Sequence, residues 1–139
     1  MQFGRLNHVG VATSSIARAR EHYAKLFGGG AVGEPFDLPE QGVRVCFVDA
    51  PNCQVELIEP LSDASPIAGF LARNPAGGQH HLCFEVADLD RAIADLAATG
   101  TRVLGSPRPG AHGTRIVFLH PKDMGGVLVE LMEAPDGGH

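Results

Sequence analysis

An α+β fold made of two tandem βαβββ modules is predicted for this 139-residue chain by three observations. The segment Leu6-Asn7-His8-Val9-Gly10-Val11-Ala12 returns as Gln79-His80-His81-Leu82-Cys83-Phe84-Glu85-Val86, with His8 and His81 in register. That register continues, because Ile16 falls on Leu89, Ala19 on Ala92 and Tyr23 on Leu96, each pair at the same interval as the two histidines. Finally, Val55-Glu56-Leu57-Ile58-Glu59 matches Val129-Glu130-Leu131-Met132-Glu133, and Glu56 follows His8 at almost the distance at which Glu130 follows His81. Such self-similarity marks a repeated supersecondary unit whose apolar face is buried only against its neighbours. The chain therefore reads as a single domain, 1–139, made of module 1 (about 1–61), a linker helix (about 62–78) and module 2 (about 79–139).

Each element has a local cause. Residues 5–12 alternate apolar and polar, the mark of a half-buried strand. Ser14-Ser15 then offers an N-cap to a helix whose Ile16, Ala19, Tyr23 and Leu26-Phe27 recur at helical spacing, and Gly28-Gly29-Gly30 stops it. The glycine run follows a helix and lacks the Lys-Ser/Thr of a phosphate loop, so it reads as a C-cap. Residues 31–37, 43–49 and 53–59 read as three further strands. In the linker, Ser65-Pro66 reads as an N-cap with Pro at the first helical position of a short helix through Arg73, which Asn74-Pro75-Ala76-Gly77-Gly78 ends. Module 2 repeats the order: a strand over 80–87, Asp88 as N-cap, a helix to Thr99, Gly100 as stop, and strands near 101–105, 113–119 and 126–133.

Strand parity sorts the side chains into two faces. Val9, Val11, Leu82, Phe84 and Val86 form an apolar face for the following helix, whereas His8, Gly10, His81, Cys83 and Glu85 lie on the other. Val55 and Leu57 oppose Glu56, and Val129 and Leu131 oppose Glu130, so each module can set one His and one Glu on the same face of its sheet. A lone strand histidine is commonly a satisfied core residue; two imidazoles and two carboxylates at repeat-related positions suit an intermediate divalent metal. His80 falls on the helix-facing side and reads as structural. Cys83 lies on the His face, where it reads as a cavity wall, with a metal ligand or reactive thiol as the alternative.

Composition narrows the class. The chain is 44% hydrophobic and 19% charged with mean hydropathy of +0.02, which supports a real core and argues against disorder. A net charge of −5 gives no basic field for nucleic acid, and no apolar run approaches the roughly 20 residues of a membrane span. No targeting segment is read. Cys46, Cys53 and Cys83 lack CxxC spacing, so free thiols in a reducing cytoplasm are expected.

With these motifs placed, the sequence resembles the vicinal-oxygen-chelate superfamily and, within it, the methylmalonyl-CoA epimerases. The specific carriers are Pro39-Glu40-Gln41-Gly42-Val43, Glu56-Leu57-Ile58-Glu59-Pro60-Leu61, Ser65-Pro66-Ile67-Ala68-Gly69-Phe70-Leu71, the His80-His81 strand and Pro109-Gly110-Ala111-His112-Gly113. The resemblance implies a cupped mixed sheet around a metal site, with His8, His81 and Glu130 as ligands and position 56 completing the set. Family members often carry Gln there, so Glu56 keeps the oxygen donor and adds a negative charge. It also implies Glu40 as an acid/base group with Glu130 opposite it. The implied cofactor is one divalent ion per chain, cobalt first, with manganese, zinc, nickel or magnesium compatible. The implied substrate is methylmalonyl-CoA and the implied assembly a homodimer. Lys25, Arg44, Arg73, Arg102, Arg108, Arg115 and Lys122 are available for CoA phosphates, with no motif to choose among them.

Three other activities share the scaffold. A glyoxalase I-like lyase or isomerase is disfavoured by the epimerase-like linker and Glu40. An extradiol dioxygenase needs open positions that a fourth ligand at Glu56 would crowd. A non-catalytic drug-binding protein has no need of a full ligand set.

Overall fold

The computed structural model of the protein describes residues 2–135, so residue 1 and residues 136–139, the outer ends of the two expected modules, lie outside the described residues. It falls into two compact units, one holding His8–His80, the other joining the residues up to Asn7 to those from His81 onward.

In the first unit the order is β1 (Leu6–Ala12), α1 (Ile16–Phe27), β2 (Phe36–Leu38), β3 (Val43–Asp49), β4 (Gln54–Pro60) and α2 (Ala68–Arg73). β1 runs parallel to β4, which pairs antiparallel with β3, which pairs antiparallel with β2. The second unit repeats this with β5 (Gly78–Val86), α3 (Leu89–Thr99), β6 (Val103–Pro109), β7 (Arg115–Leu119) and β8 (Val129–Glu133). Here β5 is parallel to β8, β8 antiparallel to β7, and β7 antiparallel to β6. Each unit is thus a βαβββ module, and no helix among the described residues is long and apolar enough to cross a membrane.

Both long helices form where the caps place them. Ser15 Oγ accepts from Arg18 N at 3.2 Å, and Gly28, at φ 92°, ends α1. Asp88 Oδ1 accepts from Arg91 N at 3.1 Å, and Gly100, at φ 79°, ends α3. A left-handed or otherwise positive φ costs glycine no Cβ clash. One face of each sheet takes the helix. Ile16, Cys46, Val48 and Leu57 form the core under α1, while Val86, Leu89, Ala92, Leu96, Val117, Leu119, Val129 and Leu131 form the core under α3. Fully burying each such aliphatic side chain is worth about 1.5–3 kcal/mol.

A second, electrostatic device ties each helix to its sheet. Glu59, at the end of β4, accepts from Ile16 N at 2.7 Å, and Arg44 on β3 reaches its other oxygen at 3.2 Å. Glu133, at the end of β8, accepts from Leu89 N at 3.0 Å and from Arg115 on β7 at 3.1 Å. A carboxylate on the first N–H of a helix satisfies an orphan donor and meets the positive end of the dipole. The Arg115 hydrogen bond, then the Leu89 N–H, hold the Glu133 carboxyl below its ordinary range.

Three expectations about boundaries are corrected. The strand expected over 31–37 is only Phe36–Leu38 plus a single bridge between Val32 and Val48, because the Gly33 carbonyl goes to the Arg20 guanidinium and Pro35 has no N–H to donate to a ladder. The strand expected near 101–105 extends through Pro109, because a bulge between Leu104 and Arg108, with Gly105 at φ 74°, absorbs the residues that read as breakers. The linker helix begins at Ala68 with Ile67 as N-cap. Ser65 instead closes turns, its N–H on Ser62 O and its Oγ accepting from Ile67 N at 3.4 Å.

Glu85 pins the N-terminal segment. Its Oε2 accepts from Arg5 Nε and Asn7 Nδ2, each at 2.8 Å, while its backbone bonds Gly4 and Arg5. Glu85→Ala is expected to destabilise the protein by about 1–3 kcal/mol in urea titrations, since buried Asn7 loses that acceptor. Glu34→Ala, at an exposed ion pair, should stay within about 0.5 kcal/mol.

Stability should also depend on acid. Asp123 binds Arg102 through its side chain and backbone N–H, which lowers its carboxyl from 3.8 to about 2. A depressed pKa contributes stability above the unfolded value and loses it as pH falls through the folded one. The urea midpoint of the parent should therefore fall more steeply between about pH 4 and pH 2 than that of Asp123→Asn, measured side by side.

Candidate functional site

The pairing registers determine which residues share the face opposite each helix. In the parallel β1/β4 pair Gly10 lies beside Glu56, and in β5/β8 Cys83 lies beside Glu130. A histidine two residues earlier on the first strand therefore points to the same side as the glutamate. His8 Nε2 stands 3.6 Å from Glu56 Oε1, and His81 Nε2 stands 3.1 Å from Glu130 Oε1. All four side chains are buried.

Buried charge needs a partner. A protonated His–Glu ion pair would be one; a divalent cation is another, for which His8, His81 and Glu130 each offer a buried ligand atom. Metal bonds of about 2.1 Å at 90–110° set adjacent N and O ligands roughly 3.0–3.5 Å apart; the His81–Glu130 separation falls within that range and the His8–Glu56 separation lies just beyond it. Imidazole and carboxylate donors in this mix match Zn, Fe, Co, Ni or Mn rather than a soft thiophilic ion.

Around each pair the walls also repeat. Phe47 lies opposite Glu56 in the β3/β4 register and sets its ring nearly perpendicular to His8, centroids 6.1 Å apart. Phe118 lies opposite Glu130 and does the same to His81 at 5.9 Å. Cys83 packs with Ile116, Met132 and Phe118, which makes it a wall on the His81 side as its parity implied. His80 instead packs edge-on against Phe70 of α2, centroids 5.3 Å apart, a structural contact.

Glu40 occupies a 3-10 turn, Pro39–Gln41, in the His8 unit, and is exposed. The turn is closed by Gly42 N donating to Pro39 O, with Gly42 at φ 69°. A Cβ on Gly42 would come within 3.3 Å of Pro66 Cδ, so the Glu40 turn is packed against the linker motif. Among the expected site residues, the structure brings His8 to Glu56 and His81 to Glu130 within their own units and sets Glu40 on this separate turn. Arg44, Arg102 and Arg115 are committed to carboxylates at Glu59, Asp123 and Glu133, which removes them from the free cations open to a phosphate.

Phe47, Phe118 and Thr114 were not singled out from the sequence, and Arg108 stood there only among undistinguished cations. Arg108 sets its guanidinium 5.4 Å from the Phe118 centroid, and Thr114 Oγ1 is buried without a hydrogen-bond partner among the described residues. The signal is present but shifted: Arg44/Arg115 and Phe47/Phe118 repeat at a slightly shorter interval than His8/His81.

Comparison with known proteins gives the same picture over most of the chain. Residues 7–118 match the model of the Glyoxalase/Bleomycin resistance protein/Dioxygenase superfamily. An ethylmalonyl-CoA/methylmalonyl-CoA epimerase of Cereibacter sphaeroides is 52% identical over 130 residues, covering 92% of this chain and 96% of that protein. The mitochondrial methylmalonyl-CoA epimerase of Bos taurus is 51% identical over 132 residues, covering 94% of this chain and 75% of that protein. A solved methylmalonyl-CoA epimerase in complex with methylmalonyl-CoA and ammonium superposes with a TM-score of 0.87 at 35% identity, covering 99% of each chain. The epimerase of Mycobacterium tuberculosis gives 0.85 at 35% identity, covering 94% of this chain and 89% of that one.

Proposed function

The chain belongs to the glyoxalase/bleomycin resistance/dioxygenase superfamily and, within it, to the methylmalonyl-CoA epimerases, and from that membership and the duplicated His–Glu pair we propose how it works. It is an isomerase that interconverts the R and S epimers of methylmalonyl-CoA. The observation that carries the mechanism is the pair of buried His–Glu contacts, 3.6 and 3.1 Å apart, one per module.

We assign His8, Glu56, His81 and Glu130 to a single divalent ion, one His and one Glu from each half of the internal repeat. Cobalt is the first choice, because two imidazoles favour the middle of the first transition row while two carboxylates still admit manganese. Glu56 in place of the family's frequent Gln gives the donor set a second negative charge, which strengthens its grip on a dication.

Epimerisation removes the proton on C2, the carbon flanked by thioester and carboxylate, and returns one from the opposite face. When bound, the ion supplies Lewis acidity to the developing enolate charge, worth several kcal/mol. Glu40 takes or returns the proton on one face, and Glu130 is assigned to the other. A carboxylate beside a cation is pushed toward its ionised form, which weakens Glu130 as a base and leaves Glu40 the stronger candidate. We place the enzyme in the cytoplasm as a homodimer, acting on an acyl-CoA.

The direct test is proton NMR of methylmalonyl-CoA in D2O with the purified enzyme. Loss of the C2–H signal together with appearance of the second epimer is expected; retention of both C2–H and configuration would overturn the assignment.

His8→Ala and His81→Ala should each remove the ion from a folded protein, as read by elemental analysis beside circular dichroism. Full occupancy in either variant would make the ligand set wrong. A chelated sample should lose activity and regain more with cobalt or manganese than with magnesium.

Glu40→Gln keeps the shape of the turn but cannot carry a proton, so epimerisation should drop by roughly 10² or more with metal content unchanged. Residual deuterium exchange into one epimer without conversion to the other would identify the surviving group on the opposite face. A variant that epimerises within about threefold of the parent would remove Glu40 from the site.

A further inference from the structure

Phe36 and Arg108 occupy the same place in the two units. Phe36 lies opposite Val45 in the β2/β3 pair and leans diagonally onto Phe47, ring centroids 6.1 Å apart. Arg108 lies opposite Ile116 in the β6/β7 pair and leans along the same diagonal onto Phe118, its guanidinium carbon 5.4 Å from the centroid. In each unit the ring so covered is the one that stands against the unit's histidine, Phe47 against His8 and Phe118 against His81. The duplication has kept the aromatic wall on both sides and exchanged its apolar cover for a cation on one side only.

A second exchange has the same sign. Thr114, two residues before Ile116, stands where Val43 stands before Val45, and its buried Oγ1 has no hydrogen-bond partner among the described residues. The His81 face is thus made polar twice at positions where the His8 face is apolar. Arg108 also differs from Arg5, Arg44, Arg102 and Arg115, each of which is paired to a carboxylate; Arg108 makes no ion pair among the described residues. A guanidinium lying on a ring is held by the π face while its N–H edge stays available for an oxyanion.

We propose that Arg108 is the substrate-anion contact of this site, seated on Phe118 and donating to an anionic oxygen of the acyl-CoA. The anion is either the carboxylate of the acyl group or a phosphate of CoA. The inference rests on the functional reading above, because it takes the acyl-CoA as the ligand.

Arg108→Phe is the decisive variant, since it sets a ring over Phe118 as Phe36 stands over Phe47 and removes the charge together with its N–H donors; Arg108→Met, which keeps an unbranched stem over the ring, is the second. Both are compared with the parent for KM and kcat on methylmalonyl-CoA and on methylmalonyl-pantetheine, which retains the carboxylate but lacks the phosphates. Calorimetric binding of malonyl-CoA to the metal-loaded proteins is measured alongside. Loss of a charge-assisted contact is expected to raise KM and the malonyl-CoA Kd by about 10–100-fold, with kcat within about threefold and metal content unchanged. Arg108→Lys should recover part of the loss. An equal rise on both thioesters assigns the carboxylate, and a rise confined to the CoA ester assigns a phosphate. If Arg108→Phe and Arg108→Met keep KM within about twofold on both substrates, or lose kcat alone, the proposal is overturned. The parent's own turnover in the same assay tests the functional reading, so a failure there is distinguishable from a failure of Arg108.

Discussion

The constraint on which the rest depends is the parallel pairing of β1 with β4, and of β5 with β8. Parallel strands in register carry their side chains to the same two faces in step, so a histidine on one and a glutamate on the other meet only if the pairing is correct to the residue. Gly10 beside Glu56 and Cys83 beside Glu130 are that correct pairing. The antiparallel strands outside then add Phe47 and Phe118 opposite the two glutamates. Every side chain attributed to the metal thus comes from strand pairing, and helices contribute to the site only by holding the sheets from behind.

The anchoring of those helices uses the same strands. Glu59 lies three positions beyond Glu56 and Glu133 three beyond Glu130, an odd spacing that sends the second carboxylate to the opposite face. There it meets the first N–H of α1 or α3 and the arginine of the neighbouring strand. The carboxylate that faces the helix makes hydrogen bonds with backbone and guanidinium donors, whereas the other stands beside the histidine. Chemical identity is the same; the parity of the strand decides the role.

Much of this was legible in the sequence because the period-2 pattern and the internal repeat agree. His8, Glu56, His81 and Glu130 fall together in their modules for the reasons their alternation gives, and Ser15, Asp88 and Gly100 cap as their chemistry dictates. What was not legible lay where the two modules differ in loop length. The helix-to-strand connections are unequal, so the repeat interval shortens at β3 and β7, and the matches of Phe47 with Phe118 and Phe36 with Arg108 are hidden by that slip. The two edge strands depart in opposite directions: in β6 a bulge tolerates Gly105 and Pro107, which taken alone read as breaks, whereas before β2 the expected strand stops short and leaves only the Val32–Val48 bridge. Ser65-Pro66 looked like a helix start but serves a preceding turn, a choice made by packing against Gly42 and not by local propensity.

The odd spacing of the two carboxylates has a bearing on how the protein is assembled. A strand displaced by one residue would turn Glu56 toward the helix and Glu59 toward the histidine, and would strip α1 of its terminal acceptor at the same time. The register is therefore proofread from the helix side by hydrogen bonds that involve no cation at all. The hydrogen bonds of Glu59 and Glu133 to the helix N-termini and the His–Glu contacts on the opposite face therefore stand or fall with a single strand register.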